Sequence, residues 1–401
     1  MTRIGRREFI SAIARAGAGS LALGSLPRWA HSAIAAASTH AAAPKRALAL
    51  PRPHAGPAEL IERNDWPEHW ETTLEGLGHS WITRNDRFFV RSHFPAPQVD
   101  AASWRLEVAG LVAAPLKLAL GEIRGFQSVT EAHTLECAGN GRGLFQLPST
   151  AGTQWGYGAV GNAAWGGVRL SDVLDRARIK PEAKHVWFEA ADLATLPTAP
   201  RFIRSIPIEK AMKDVLLAHT MNNQPLPRLH GAPLRAIVPG WYGMASTKWV
   251  TRIRLEAAPS DNHFMVKGYR YAYPGEDPTQ AKPVEEMRVK SIITRPIDGT
   301  RVPLGRVRVQ GFAWAGSVGV KNVEISIDGG KTWRFAGFMG DVAPLAWRMW
   351  VTEIEIKSPA QLTIMARATD KAGEAQPIAA QANGGGYGNN SIHEVKVRVG
   401  A

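Results

Sequence analysis

The sequence predicts an α+β protein: a mixed α/β segment over residues 76–284, followed by an all-β immunoglobulin-like sandwich over residues 285–401. Three observations carry this expectation. Stretches of helical and strand periodicity alternate from about residue 80 to 280. After about residue 285 the pattern changes to short alternating strands set off by turn residues. The 401 residues, 45% hydrophobic and 21% charged, suffice for two cores of globular composition.

In chain order, residues 1–40 read as an export signal of the twin-arginine type. GRREFI presents Arg6 and Arg7, a weakly apolar run follows, and SAIAAAS supplies small residues for cleavage. The peptide to Ala37 carries five arginines and one glutamate, so its removal would lower the formal charge of +13 to about +9. A periplasmic destination follows as an expectation. Residues 41–75 read as an Ala- and Pro-rich linker or arm. ASWRLEVAG reads as a strand, GVRLSDVLDRARI and PIEKAMKDVLLAHTM as helices, and HVWFEA, APLRAIVPG and TKWVTRIRLE as strands. In the sandwich the strands are RVRVQGFAWAG, NVEISIDGGKTW, MWVTEIEI, QLTIMARATD and HEVKVRVG, with a hairpin turn at Asp328-Gly329-Gly330.

The charge favours anionic partners, but the cations are dispersed, which argues against nucleic acid. No apolar run of about 18 residues suggests a membrane span. Neither G-x-G-x-x-G nor G-x-x-x-x-G-K-[ST] occurs, so no dinucleotide or triphosphate loop is indicated. Cys137, in HTLECAGNGR, is the only cysteine. It cannot form an internal disulfide, which leaves packing, nucleophilic chemistry or metal ligation. Ligand-spaced His and Cys clusters are absent, so a metal there would be one whose cofactor brings most of its own ligands.

HTLECAGNGR, with FFVRSHFPAP upstream and LPRLHGAPLRAIVPGWYGMASTKW downstream, resembles the sulfite oxidase family of molybdenum enzymes over roughly residues 75–400. The resemblance implies molybdenum held by one molybdopterin and by Cys137. It implies a cofactor lining of Arg91, Ser92, His93, Asp192, His230, Arg235, Ser246 and Lys248, with Arg235 and Lys248 toward the pterin phosphate. It implies a substrate side formed by Arg91, Arg142, Trp155 and Tyr269. Oxygen-atom transfer to a small sulfur oxyanion, above all sulfite, is the implied reaction. The family's further pocket arginine from the C-terminal domain has no counterpart, because the matching stretch QANGGGYGNNSIHE places Gly385 or a neighbouring glycine there. This admits, as an alternative, a same-fold reductase of an S- or N-oxide; a separate alternative, with Cys137 as packing only, is a non-catalytic exported binding protein whose sandwich recognises a partner. No CxxCH motif or second cysteine occurs, so neither haem nor an iron–sulfur cluster is expected in this chain. Electrons would leave to a separate soluble acceptor such as a cytochrome c, and the sandwich suggests a homodimer.

Overall fold

The computed structural model describes residues 60–145, 150–194, 196, 198–359 and 361–400. The expected export signal lies outside the described residues. Residues 56–401 form one compact unit.

The first half carries β1 (Leu60–Asn64), β2 (His69–Thr72), β3 (Arg105–Gly110), β4 (Leu116–Ala119), β5 (Ser128–Glu136), β6 (Val160–Arg169), β7 (His185–Ala190), β8 (Ile203–Pro207), β9 (Leu216–Met221), β10 (Gln224–Pro225), β11 (Arg235–Ile237) and β12 (Val250–Glu256). Interspersed are short helices: α1 (Leu74–Leu77), α2 (Leu120–Arg124), α3 (Leu170–Ala177), α4 (Ile208–Asp214) and α5 (His263–Val266). One sheet runs β10-β9-β6-β5, with β11 also pairing β9; a second runs β4-β3-β12-β7-β8. Within the second sheet β3 and β12 are parallel.

Helix α3 forms because Leu170, Val173, Leu174 and Ala177 fall on one face, all fully buried. It stops where Arg178 turns left-handed at φ 55°. The expected helix over PIEKAMKDVLLAHTM is half right. Helix α4 ends at Asp214, and Leu216–Met221 is instead a strand between β6 and β11. The run Val215-Leu216-Leu217-Ala218 is apolar on every side, so its period cannot separate a helix from a strand buried on both faces. The sheet, needing a partner for β6, decides. The expected arm also differs in extent: residues 60–72 form an antiparallel hairpin.

The second half carries β13 (Lys290–Arg295), β14 (Arg301–Val302), β15 (Gly305–Trp314), β16 (Val320–Ser326), β17 (Arg334–Phe335), β18 (Gly337–Met339), β19 (Arg348–Ile356), β20 (Gln361–Asp370) and β21 (His393–Val399). Two sheets, β13-β15-β19-β18 and β14-β21-β20-β16-β17, enclose a core that includes Val309, Ile325, Trp350, Ile364 and Val395. This is the expected sandwich. Strand β21 shows the rule: His393, Val395, Val397 and Val399 are buried while Glu394, Lys396 and Arg398 are exposed. At the expected turn, Gly329 and Gly330 are left-handed, and the Asp328 carboxylate accepts N–H bonds from Lys331 and Thr332.

A third cluster joins the halves. Leu77, Ala138, Tyr242 and Tyr269 pack with Ile292, Phe312, Trp314 and Trp347. Through it runs a buried polar network centred on Glu136, the last residue of β5. Its carboxylate accepts from Lys290 Nζ (3.0 Å), Asn140 Nδ2 (2.9 Å) and Trp314 Nε1 (2.8 Å). The turn that follows Glu136 is therefore anchored to the sandwich.

Candidate functional site

That turn presents Cys137. Its N–H donates to Ala159 O (2.9 Å), and its carbonyl accepts from Asn140 N (2.9 Å), closing the chain sharply behind the thiol. The free thiol, partly exposed, lies on the wall of a cavity of about 730 Å3 of space unfilled by protein, counted to its open mouth. Arg91, Ser92, His93, Asp192, His230, Arg235, Ser246, Lys248 and Tyr269 line the same cavity. With Cys137 these are all nine expected cofactor residues and, in Arg91 and Tyr269, two of the four expected substrate residues. They arrive from separate places: the stretch after β2, the ends of β5, β7 and β11, and the loop before β12.

Arg235 and Lys248 form the cationic floor. Arg235 donates Nη1 to His230 O (2.9 Å) and Nη2 to Ser246 O (3.1 Å), while its Nε is buried with no partner among the described residues. Burial presses its pKa down to about 9, still far enough above neutral for the cation to persist. Lys248 Nζ donates to Ser92 Oγ (2.6 Å) and Leu229 O (2.8 Å) and sits 4.2 Å from the Trp249 ring centroid. Its side chain is only partly covered, yet the cavity walls shield it from bulk water, and that desolvation, with Arg235 nearby, pushes its pKa well down. The one acid in the lining, Asp192, is raised to about 6 by burial, against the pull of Lys248. Arg91, Arg235 and Lys248 thus face a single carboxylate, which with a pKa of about 6 is still mostly ionised at neutral pH. Burying an unpaired ion costs several kcal/mol, and a bound polyanion would remove that cost.

His230 is held neutral, its pKa lowered to about 3 by burial and then by Lys248 and Arg235. Its Nε2–H donates to Asn85 O (3.2 Å), so Nδ1 is left as an acceptor. His93 is also kept neutral, first by burial, then by Arg91 and Arg204. Arg91 Nη1 donates to His93 Nδ1, which fixes the proton on Nε2. Nε2–H then donates to the Tyr269 hydroxyl oxygen (2.9 Å). The phenol, whose pKa burial raises above 10, keeps its own proton free to point elsewhere. The order Arg91, His93, Tyr269 is a directed chain of donors that ends at the cavity. Tyr269 and the lining residue Trp249 both take left-handed backbones, φ 56° and 52°, a strain of about 1–3 kcal/mol each for residues with a Cβ.

The other two expected substrate residues lie outside this lining. Arg142 is buried; its Nε donates to Gly385 O (2.9 Å) and Nη1 to Thr153 O (3.0 Å). Its guanidinium lies so close to Gly139 and Gly152 that a Cβ on either would stand under 3.0 Å from it. Trp155 is fully buried with Phe88, Phe89 and Leu135, next to Cys137, and its Nε1 has no acceptor among the described residues. Gly385, expected in place of an arginine, offers no charge and caps Arg142 through its carbonyl.

Some lining residues were not singled out from sequence. Thr247, whose buried Oγ1 has no partner among the described residues, sits between Ser246 and Lys248 and was legible in that motif. Phe202 stacks on His93 at 4.2 Å, and His69 Nε2–H donates to Ser92 O (2.8 Å), fixing the Arg91–His93 segment from behind. Nothing local in the sequence marks either.

Among the described residues no group of three His, Cys, Asp or Glu side chains converges as a metal site. A soft thiol, an unpaired buried Nε, an orphan hydroxyl and excess positive charge together suit a metal delivered on an organic anion. The donor set fits a molybdopterin.

Fold and cavity define a chain shaped to hold a molybdopterin. Residues 93–264 match the family model described as oxidoreductase molybdopterin binding domain, and residues 281–400 the Mo-co oxidoreductase dimerisation domain. The chain belongs to the sulfite oxidase family. It is 36% identical over 353 residues to mitochondrial sulfite oxidase of Rattus norvegicus, covering 83% of this chain and 64% of that protein. It is 32% identical over 365 residues to sulfite oxidase of Arabidopsis thaliana, covering 83% of this chain and 92% of that protein. Among solved structures, the sulfane dehydrogenase SoxCD from Paracoccus pantotrophus superposes with a TM-score of 0.75 at 28% identity, over 95% of this chain and 94% of that one. No helix among the described residues is long and apolar enough to cross a membrane.

Proposed function

We propose that this chain oxidises sulfite to sulfate, using one molybdopterin-bound molybdenum with Cys137 Sγ as its protein ligand. The observation that carries the proposal is the cavity itself: Arg91, Arg235 and Lys248 converge with a single acid beside the only thiol of the chain. The bound group would supply oxygen-atom transfer and accept two electrons; the oxygen comes from water, which releases two protons. The protein's part is binding, charge and proton placement. Arg235 and Lys248 would hold the phosphate end, with Ser246 and Thr247 adding hydroxyl donors. Arg91 and Arg142 would offset the repulsion of an anionic substrate, each charge-assisted bond being worth about 1.5–3 kcal/mol. Tyr269, kept protonated, would donate to an oxygen of the substrate, and Trp155 would form apolar backing beside the thiol.

Domain limits near residues 75 and 285 are part of the proposal. So are export by the twin-arginine route to the periplasm, a homodimer formed through the sandwich, and transfer of electrons to a separate acceptor such as a cytochrome c. A second reading keeps the chemistry and changes the substrate: Gly385 contributes no cation, and the structural relative from Paracoccus acts, by its name, on sulfane sulfur.

Molybdenum quantification on wild type beside Cys137→Ser, with sulfite-driven bleaching of the thiolate-to-metal absorption, tests the proposal. Stoichiometric metal and bleaching in wild type, both lost or strongly reduced in the variant, are expected. Metal without bleaching by sulfite would favour the second reading, and wild-type protein without molybdenum would end both.

A further inference from the structure

Three glycines flank one tyrosine in the segment before β21. Gly385, Gly386 and Gly388 surround Tyr387. A Cβ on Gly385 would stand 2.1 Å from the Tyr387 ring, one on Gly386 2.7 Å from Arg142 Cγ, and one on Gly388 2.8 Å from the Tyr271 hydroxyl. Gly386 and Gly388 also hold φ of 59° and 62°, where side chains are penalised. Asn383 braces the turn: its Oδ1 accepts from Tyr387 N (3.1 Å) and its Nδ2 donates to Tyr387 O (2.8 Å). Gly388 N donates to the carbonyl of Ala138 (2.8 Å), the residue after the cavity thiol.

What this turn delivers is a ring. Tyr387 stacks on Tyr269 with centroids 5.1 Å apart and planes inclined by 26°. The Arg142 guanidinium lies 5.3 Å from the centroid of the same ring. Arg142 is tied down at Nε and Nη1, and among the described residues its Nη2 makes no hydrogen bond. The ring is only half-buried, so packing alone is a weak reason to clear the position beside it at Gly385, while Gly386 and Gly388 make room for Arg142 and Tyr271.

We infer that Tyr387 is a positioning residue, through which the sandwich sets the Tyr269 hydroxyl and the Arg142 guanidinium in register for the substrate oxyanion. This rests on the roles proposed above for Tyr269 and Arg142. Gly385 then serves as the space that lets the ring lie flat.

The test uses molybdenum-loaded protein in five forms: wild type, Tyr387→Leu, Tyr387→Phe, Gly385→Ala and the double variant Gly385→Ala/Tyr387→Leu. Each is measured for metal content, kcat and KM with sulfite, and Kd for sulfate as a non-reacting oxyanion. Misplacing reacting groups by about 1 Å can cost about a hundredfold. Tyr387→Leu should accordingly lose about tenfold or more in kcat/KM and weaken sulfate binding, with metal content unchanged. Tyr387→Phe, which keeps the ring, should recover to within about threefold of wild type. Gly385→Ala should reproduce the loss by pushing the ring, and should add nothing once the ring is gone. Wild-type kcat/KM and sulfate affinity in Tyr387→Leu, or a Gly385→Ala defect that persists in full in the Tyr387→Leu background, would overturn the inference. Should Tyr387→Leu fail to accumulate, Gly385→Ala decides alone, since it removes no group; wild-type behaviour from it counts against. If wild type carries molybdenum yet leaves sulfite untouched, the sulfite reading fails while the cycle is still read on sulfate affinity.

Discussion

The seam between the two halves and the floor of the cavity both bury charge, and they do it in opposite ways. At the seam, Glu136 meets Lys290, Asn140 and Trp314, so every strong interaction has its counterpart within the chain. In the cavity, Arg235 and Lys248 rest on backbone carbonyls and a serine hydroxyl, and Asp192 is the one acid in the lining. The first arrangement is complete as folded. The second is complete only with an anion that the chain does not contain, and this asymmetry separates architecture from function more clearly than burial does.

The contrast can be broken most severely at the seam. Glu136→Ala leaves Lys290 buried without its partner, and unfolding by urea should show a loss of about 3–5 kcal/mol. A change below about 1 kcal/mol would mean that water replaces the carboxylate and that the seam is looser than described.

Acid should weaken both regions through their histidines. Burial lowers the pKa of His393 at the seam to about 3, of His230 in the cavity to about 3, and of His69 behind it to about 4. Below pH 6.5 the unfolded chain takes up protons that these sites refuse, so stability is intact above that value and falls as pH drops toward 3–4. Unfolding midpoints at pH 7.5, 5.5 and 4.5 should decline by an equivalent of about 2 kcal/mol or more. His393→Asn, which keeps an acceptor for Ile293 N–H, should flatten the slope; an unchanged slope would shift the effect away from the seam.

At the cavity the sign should reverse. In molybdenum-free protein, Lys248→Met removes a buried amine whose hydrogen-bond partners are a serine hydroxyl and a backbone carbonyl, and should leave stability unchanged or raise it by about 1 kcal/mol, while loading with the cofactor falls. A clear loss of cofactor-free stability would show that Lys248 is balanced as Glu136 is. Smallest of all, Asp192→Asn should remove a weak pH dependence. The folded state holds an extra proton between pH 3.8 and about 6, so stability declines as pH rises through that window, by about 1 kcal/mol after solvent relaxation. Parallel titrations of wild type and variant would reveal it.

How much of this was legible depended on whether a residue's task was local. Cys137, Arg235 and Lys248 sit in contiguous motifs, and the cavity gathers them as the resemblance implied. Strand β21 declares its faces by alternation, and Asp328-Gly329-Gly330 declares its turn. The strand Leu216–Met221 was misread because an apolar run carries no period until neighbouring strands impose one. Lys290 reads as an ordinary surface lysine, and only the fold brings it to Glu136, 154 residues earlier. Tyr387 was hidden in the same way: its glycine neighbours suggested a missing side chain, whereas in space Gly385 makes room for an aromatic one.

The hairpin at residues 60–72 carries a last consequence. Glu71 on its second strand accepts N–H bonds from Gly156 and Gly158, on either side of Tyr157 and immediately after Trp155, and Gly158 approaches so closely that a Cβ there would stand 1.7 Å from Thr72 O. A cut that removes the strand Leu60–Asn64 should therefore untie the loop behind the thiol from a distance, without touching any residue of the cavity lining.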